Sequence, residues 1–140
     1  MTREELKIYL IENKFEIIEK ELEQNPQLIR KFFGFLYDPD KAIRNSAAKV
    51  FGIAAKYMQE ESLKDLIRRM MWMLNDESGS CCWHVPYAIG EIGKEKPYII
   101  ESFIPQLEYY AKDPDATLRN GVQEALDVIK NAIKKAPDHD

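Results

Sequence analysis

With 140 residues, 45% of them apolar and 31% charged, the chain has the make-up of one globular domain able to bury a core. Its net charge of −4 argues against a general nucleic-acid binder, which carries a basic face. No apolar run reaches membrane-spanning length, and Met1-Thr2-Arg3-Glu4 opens no signal peptide, so a cytoplasmic protein without membrane contact is expected.

Thr2 and Glu5 form a capping box, which starts a short helix carrying Leu6, Tyr9 and Leu10. Asn13-Lys14 interrupts it, and a second helix follows with Phe15, Ile18 and Leu22 on one side. Residues 1–24 are expected to be a degenerate pair that caps one end of a helical stack.

Asn25 before Pro26 is a helix start, a cap followed by a residue with no amide to waste. From there Leu28, Ile29, Phe32, Phe33 and Leu36 recur at α-helical spacing. The turn Tyr37-Asp38-Pro39-Asp40 ends that helix, and Asp40 caps the next, with Ile43, Ala47, Val50, Phe51 and Ala54 as its apolar stripe. The small residues Ser46, Ala47, Ala48 and Gly52 let another helix come close.

Ser62 is the candidate cap for a helix through Leu63, Leu66, Ile67, Met70, Met71, Met73 and Leu74. The methionines are expected as core filling and the basic residues Lys64, Arg68 and Arg69 as a solvated face. After Gly79 another helix runs to about Gly93 and contains Pro86. That proline either kinks the helix or marks its true start, and both remain open. Lys96-Pro97 opens a helix with Ile99, Ile100, Phe103, Ile104 and Leu107 and an internal Pro105. Asp113-Pro114-Asp115 repeats the earlier turn before a long helix bearing Leu118, Val122, Ala125, Leu126 and Ile129. Residues 135–140 are a polar tail. No segment alternates with period two, so no sheet is expected.

The stretch Asn75 to Gly93, NDESGSCCWHVPYAIGEIG, has two imperfect copies. Gly90 over Gly52 sets Val85, Ala88 and Ile92 on Ala47, Val50 and Ala54; Ala88 over Ala125 sets Val85, Ile89 and Ile92 on Val122, Leu126 and Ile129. A spacing of about 38 residues is a repeat signature, with units at 25–57, 61–94 and 97–134. The outer copies open alike, DPDKAIRNSAAKVFG from Asp38 and DPDATLRNGVQEALD from Asp113.

A helix, Asp-Pro-Asp, three residues, Arg and an Ala-rich helix together resemble HEAT-like repeats, including the variety named after phycobilin lyases. The residues that carry this are Asp38-Pro39-Asp40, Arg44, Ala47-Ala48 and Phe51-Gly52, then Asp113-Pro114-Asp115, Arg119, Ala125 and Leu126. The central Asn75-Asp76-Glu77-Ser78-Gly79, Trp83 and Pro86 to Glu91 are similar to short uncharacterised prokaryotic proteins with this repeat. The resemblance implies an all-α, right-handed superhelix of about four helix pairs, whose second helices line a concave face. It also implies a ladder in which loop aspartates meet the arginine of a neighbouring repeat. Asp40, Arg44, Asp115 and Arg119 fit that role, while Ser78 and Cys82 stand at the equivalent central positions.

Only two cysteines occur, Cys81 and Cys82. Adjacent residues on a helix diverge, so a disulfide between them is poor and reduced thiols are expected. A metal site could be drawn from Cys81, Cys82 and His84, but their spacing suits it poorly. Cys81 and His84 share a helix face, Cys82 points elsewhere, and zinc wants four well-spread ligands. Cys81 with His84 is the one nucleophile–base pair on offer, and no glycine-rich phosphate loop is present. No cofactor is expected.

What remains is surface recognition. Opposite the stripe Val85, Ala88, Ile89 and Ile92 fall Trp83, His84, Tyr87, Glu91 and Lys94. Trp83 and Tyr87, one turn apart, would anchor a protein or peptide partner, although Trp83 could equally plug the gap between helix pairs. The expected function is a non-enzymatic protein-interaction module. The alternative is a lyase-like or accessory protein that holds a metal or cofactor through Cys81, Cys82 and His84.

Overall fold

The computed structural model describes residues 1–75 and 84–136. These form eight α-helices and two 3-10 helices, and no strand occurs among them.

Helix α1 (Arg3–Ile11) opens on the expected capping box: the Thr2 hydroxyl accepts from the Glu5 amide at 3.2 Å and Glu5 accepts from the Thr2 amide at 3.3 Å. Asn13 breaks the chain direction at φ 55°, a left-handed conformation that asparagine tolerates. Its side-chain oxygen also accepts from Ser46 at 3.1 Å, which ties the turn down. Helix α2 (Phe15–Gln24) buries Ile18 and Leu22.

The next segment departs from expectation. Asn25 caps it by accepting from the Gln27 amide at 3.2 Å, but Pro26–Tyr37 is a 3-10 helix (η1) along all 12 residues. Its fully buried residues include Ile29, Phe32 and Phe35, spaced by three, which is the 3-10 period. Phe33 and Leu36 are buried as well, so the segment is covered on a broad face.

Asp40 caps α3 (Lys41–Ala55) by accepting from the Ala42 amide at 2.9 Å. Helix α4 (Glu60–Leu74) does not start at Ser62. Gln59 is its N-cap, without a side-chain bond, and Glu60 and Glu61 place negative charge in the first turn, where the helix dipole favours it. Helix α5 (Val85–Glu95) has Pro86 in its first turn, so the proline starts the helix rather than kinking it. The single helix expected after Pro97 is three pieces: α6 (Pro97–Ile100), a 3-10 turn η2 (Glu101–Phe103) and α7 (Ile104–Tyr110). Pro105, lacking an amide and crowding the turn before it, ends one α-helix and begins the next. Helix α8 (Ala116–Lys135) is capped by Asp115, which accepts from the Thr117 amide at 3.2 Å.

Helices α3, α5 and α8 lie side by side as the central row, with the most extensive interfaces between α3 and α5 and between α5 and α8. Segment η1 packs on α3, α4 on α5 and α6, and α7 on α8, while α1 and α2 close the end beside α3. One continuous core runs from Leu6 to Ile129. The row is tight at two glycines. A Cβ on Gly52 would lie 3.0 Å from the Glu91 carbonyl oxygen, and one on Gly93 would lie 2.5 Å from Ile129 Cγ1.

Candidate functional site

The start of α5 is fastened to α3 by a polar clasp. Arg44 Nε donates to His84 Nδ1 at 3.3 Å, and His84 Nε2 lies 2.7 Å from Asn45 Oδ1. Arginine can only donate, so Nδ1 is the acceptor, and the imidazole is neutral with its proton on Nε2, directed at Asn45. Burial, with Arg44 and then Lys41 nearby, pushes the histidine pKa down from 6.5 to about 4.

His84 was expected beside Tyr87 on the outward face. It is buried instead, at 7% exposure, because the helix starts at Val85 and His84 turns back onto α3. Both ring nitrogens are engaged, so coordinating a metal would require His84 to release Arg44 or Asn45. Cys81, Cys82 and Trp83 lie outside the described residues. Among the described residues, no three His, Cys, Asp or Glu side chains are grouped to hold a metal ion.

The four charges of the expected ladder serve their own turns. Asp40 and Asp115 each cap their helix, and the preceding aspartates accept from them: Asp38 from the Asp40 amide at 2.8 Å and Asp113 from the Asp115 amide at 2.9 Å. Arg44 Nη1 donates to the carbonyls of Asp38 at 2.6 Å and Pro39 at 3.0 Å. Arg119 Nη1 does the same to Asp113 at 3.1 Å and Pro114 at 3.3 Å. Arg44 also reaches across to the start of α5, through His84.

Tyr87 is the aromatic that α5 presents outward, at 36% exposure. Its ring stacks at a tilt on His84, 4.8 Å between centroids, and the Glu124 side chain of α8 lies near its hydroxyl. Burial first, and then Glu124, hold its pKa above the usual tyrosine value. One turn on, Glu91 pairs with Lys94 at 3.2 Å. Lys94 also borders an open groove of about 560 Å³ that α5 and α8 form with Pro97.

Trp72 stands off the apolar stripe of its helix. It is 67% exposed on α4 and lines a groove of about 350 Å³ with Arg68, Asn75, Gln106 and Tyr110. Tyr109, 74% exposed, meets Tyr110 edge-on at 5.3 Å. The signal was available, because Trp72 falls opposite the stripe through Met70 and Leu74. The basic residues beside it are engaged locally: Arg68 with Asp65 at 2.7 Å, Lys64 with Glu60 at 3.7 Å, and Arg69 over the Phe33 ring at 4.9 Å.

Fold and site together define an all-helical protein in which no described helix is long and apolar enough to cross a membrane. It is related to an uncharacterized protein of the archaeon Archaeoglobus fulgidus, 40% identical over 105 residues, which cover 73% of this chain and 56% of the relative. The chain therefore spans little more than half the length of that relative. No family model matches the sequence, and no solved structure matches it.

Proposed function

We propose that the chain is a non-enzymatic protein-interaction module, built of HEAT-like helix pairs wound into a right-handed superhelix. It would bind a protein or peptide partner across the row of α3, α5 and α8. The repeated Asp-Pro-Asp caps and the side-by-side row support the architecture. One observation carries the function: the Tyr87 ring is packed on the buried His84 and yet is open to solvent. The Glu124 side chain of α8 lies near its hydroxyl. An aromatic already immobilised loses little further entropy on binding, which makes it a good anchor. Glu91 and Lys94 would supply a polar rim, while His84 supports the anchor from beneath.

A photo-crosslinking amino acid placed at Lys94 in cells of the source organism tests this. A discrete protein adduct should form and should weaken at least tenfold with Tyr87→Ala, as expected for an anchor of about 2 kcal/mol or more. The same crosslinker at exposed Lys130 of α8 is the control. Adducts of equal pattern at both positions, or an adduct indifferent to Tyr87, would remove Tyr87 from any interface.

A further inference from the structure

The large aliphatic side chains exposed among the described residues all lie in the first two helices: Ile8 at 51%, Ile11 at 57% and Ile17 at 38%. Helix α1 meets the core through Leu6 and Leu10, so Ile8 and Ile11, three residues apart, form a second apolar strip that the fold leaves uncovered. The neighbours of Ile8 one turn away are acidic, whereas Lys7 and Lys14 stand one turn from Ile11. Glu4, Glu5 and Glu12 lie three or four residues from Ile8 and are exposed. The cations of α1 are drawn elsewhere: the Arg3 guanidinium stacks on Phe35 at 4.4 Å, and Lys7 lies 3.9 Å from Asp38. Residues 1–24 hold seven glutamates against four basic side chains, whereas the whole chain holds 24 acidic against 20 basic. Three of the four net negative charges thus sit on this end.

We infer that the Ile8–Ile11 face of α1 is a docking surface for a cationic amphipathic helix of a partner protein, one whose aliphatic stripe is flanked by lysine or arginine. Aliphatic groups at helical spacing fit the ridge of another helix. The carboxylates along the strip select the sign of its flanks. The same charge disfavours other occupants. A second copy packed face to face would set Glu4, Glu5 and Glu12 against themselves, and an anionic lipid surface would be repelled. This surface is separate from the α3–α5–α8 row and does not depend on Tyr87.

The test uses the full chain and two labelled synthetic peptides of equal charge, an amphipathic Lys/Leu helix and a Lys/Ser counterpart, followed by fluorescence anisotropy. Wild type should bind the Lys/Leu peptide about tenfold more tightly than the Lys/Ser one, and less tightly as salt rises. Ile8→Ser with Ile11→Ser should reduce binding to the Lys/Ser level while the melting temperature holds, since both side chains are exposed. Glu4→Gln with Glu12→Gln should weaken binding and flatten its salt dependence, and Tyr87→Ala should leave it unchanged. Full affinity in the isoleucine variant would overturn the inference. So would sedimentation showing dimers that the isoleucine variant abolishes, or binding to anionic vesicles that matches binding to the peptide.

Discussion

Arg44 and Asn45 fix the tautomer of His84, with a consequence for stability against pH. The folded histidine stays neutral down to about 4, whereas in the unfolded chain it takes a proton near 6.5. Above that window neither state binds the proton and stability is flat. As pH falls from 6.5 to 4 only the unfolded state gains it, so stability is lost, by something of the order of 1–3 kcal/mol. A glutamine can accept from Arg44 and donate to Asn45 without titrating. Urea unfolding at both ends of the window should therefore show a smaller pH loss for His84→Gln than for wild type, and equal losses would mean that His84 is not the group responsible. The same clasp separates two arginines that the sequence makes equivalent. Arg119→Ala frees two turn carbonyls, at a cost of about 1 kcal/mol. Arg44→Ala frees two as well and also leaves His84 Nδ1 unpaired, so its loss should exceed that of Arg119→Ala by about 1 kcal/mol. Identical unfolding midpoints for the two variants would contradict the clasp.

Between helices, the informative residues are the glycines. Aligning the repeats sets Gly90 on Gly52, yet their surroundings differ. A Cβ at Gly52 would meet the Glu91 carbonyl oxygen at 3.0 Å and its Cβ at 3.1 Å, neither of which can rotate away. At Gly90 the nearest atom is Ala125 Cα at 3.5 Å, an ordinary contact. Gly52→Ala should force α3 from α5 and lower stability by about 1–3 kcal/mol. Gly90→Ala should be neutral, or gain up to about 1 kcal/mol from helix propensity. Thermal melts of the two variants decide it, and a shift of the same size and sign in both would refute the close approach at Gly52. Sequence alone could not separate the pair, because the identity of the residue opposite a glycine is a long-range fact. Pro86 and Pro105 were legible only in part: the sequence left open whether Pro86 kinks or starts its helix and kept Pro105 inside one helix, whereas each stands in the first turn of a helix. In η1 the apolar residues crowd so closely that periods of 3 and 3.6 fit equally well, and the burial pattern suits both.

Over the whole molecule, most of the helices could be read in order from their apolar stripes and caps, because each stripe is local. Which outward side stays open was much less legible. Trp72 lies on the polar side of its stripe and remains exposed, whereas His84, on the equivalent side of α5, is taken inward by Arg44 and Asn45, some forty residues earlier. A stripe tells a residue which way the core lies, but not whether a neighbouring helix covers its back.

The 3-10 winding of η1 also sets a length. A 3-10 helix rises about 2.0 Å per residue against about 1.5 Å for an α-helix, so its 12 residues extend roughly 24 Å rather than 18 Å. The α3 helix it lies on has 15 residues and extends roughly 22 Å. Stretched in this way, the shorter segment matches its neighbour in length, and an α-helical version would fall about 4 Å short of it. The pitch of the backbone therefore supplies the reach that three or four additional residues would otherwise have provided.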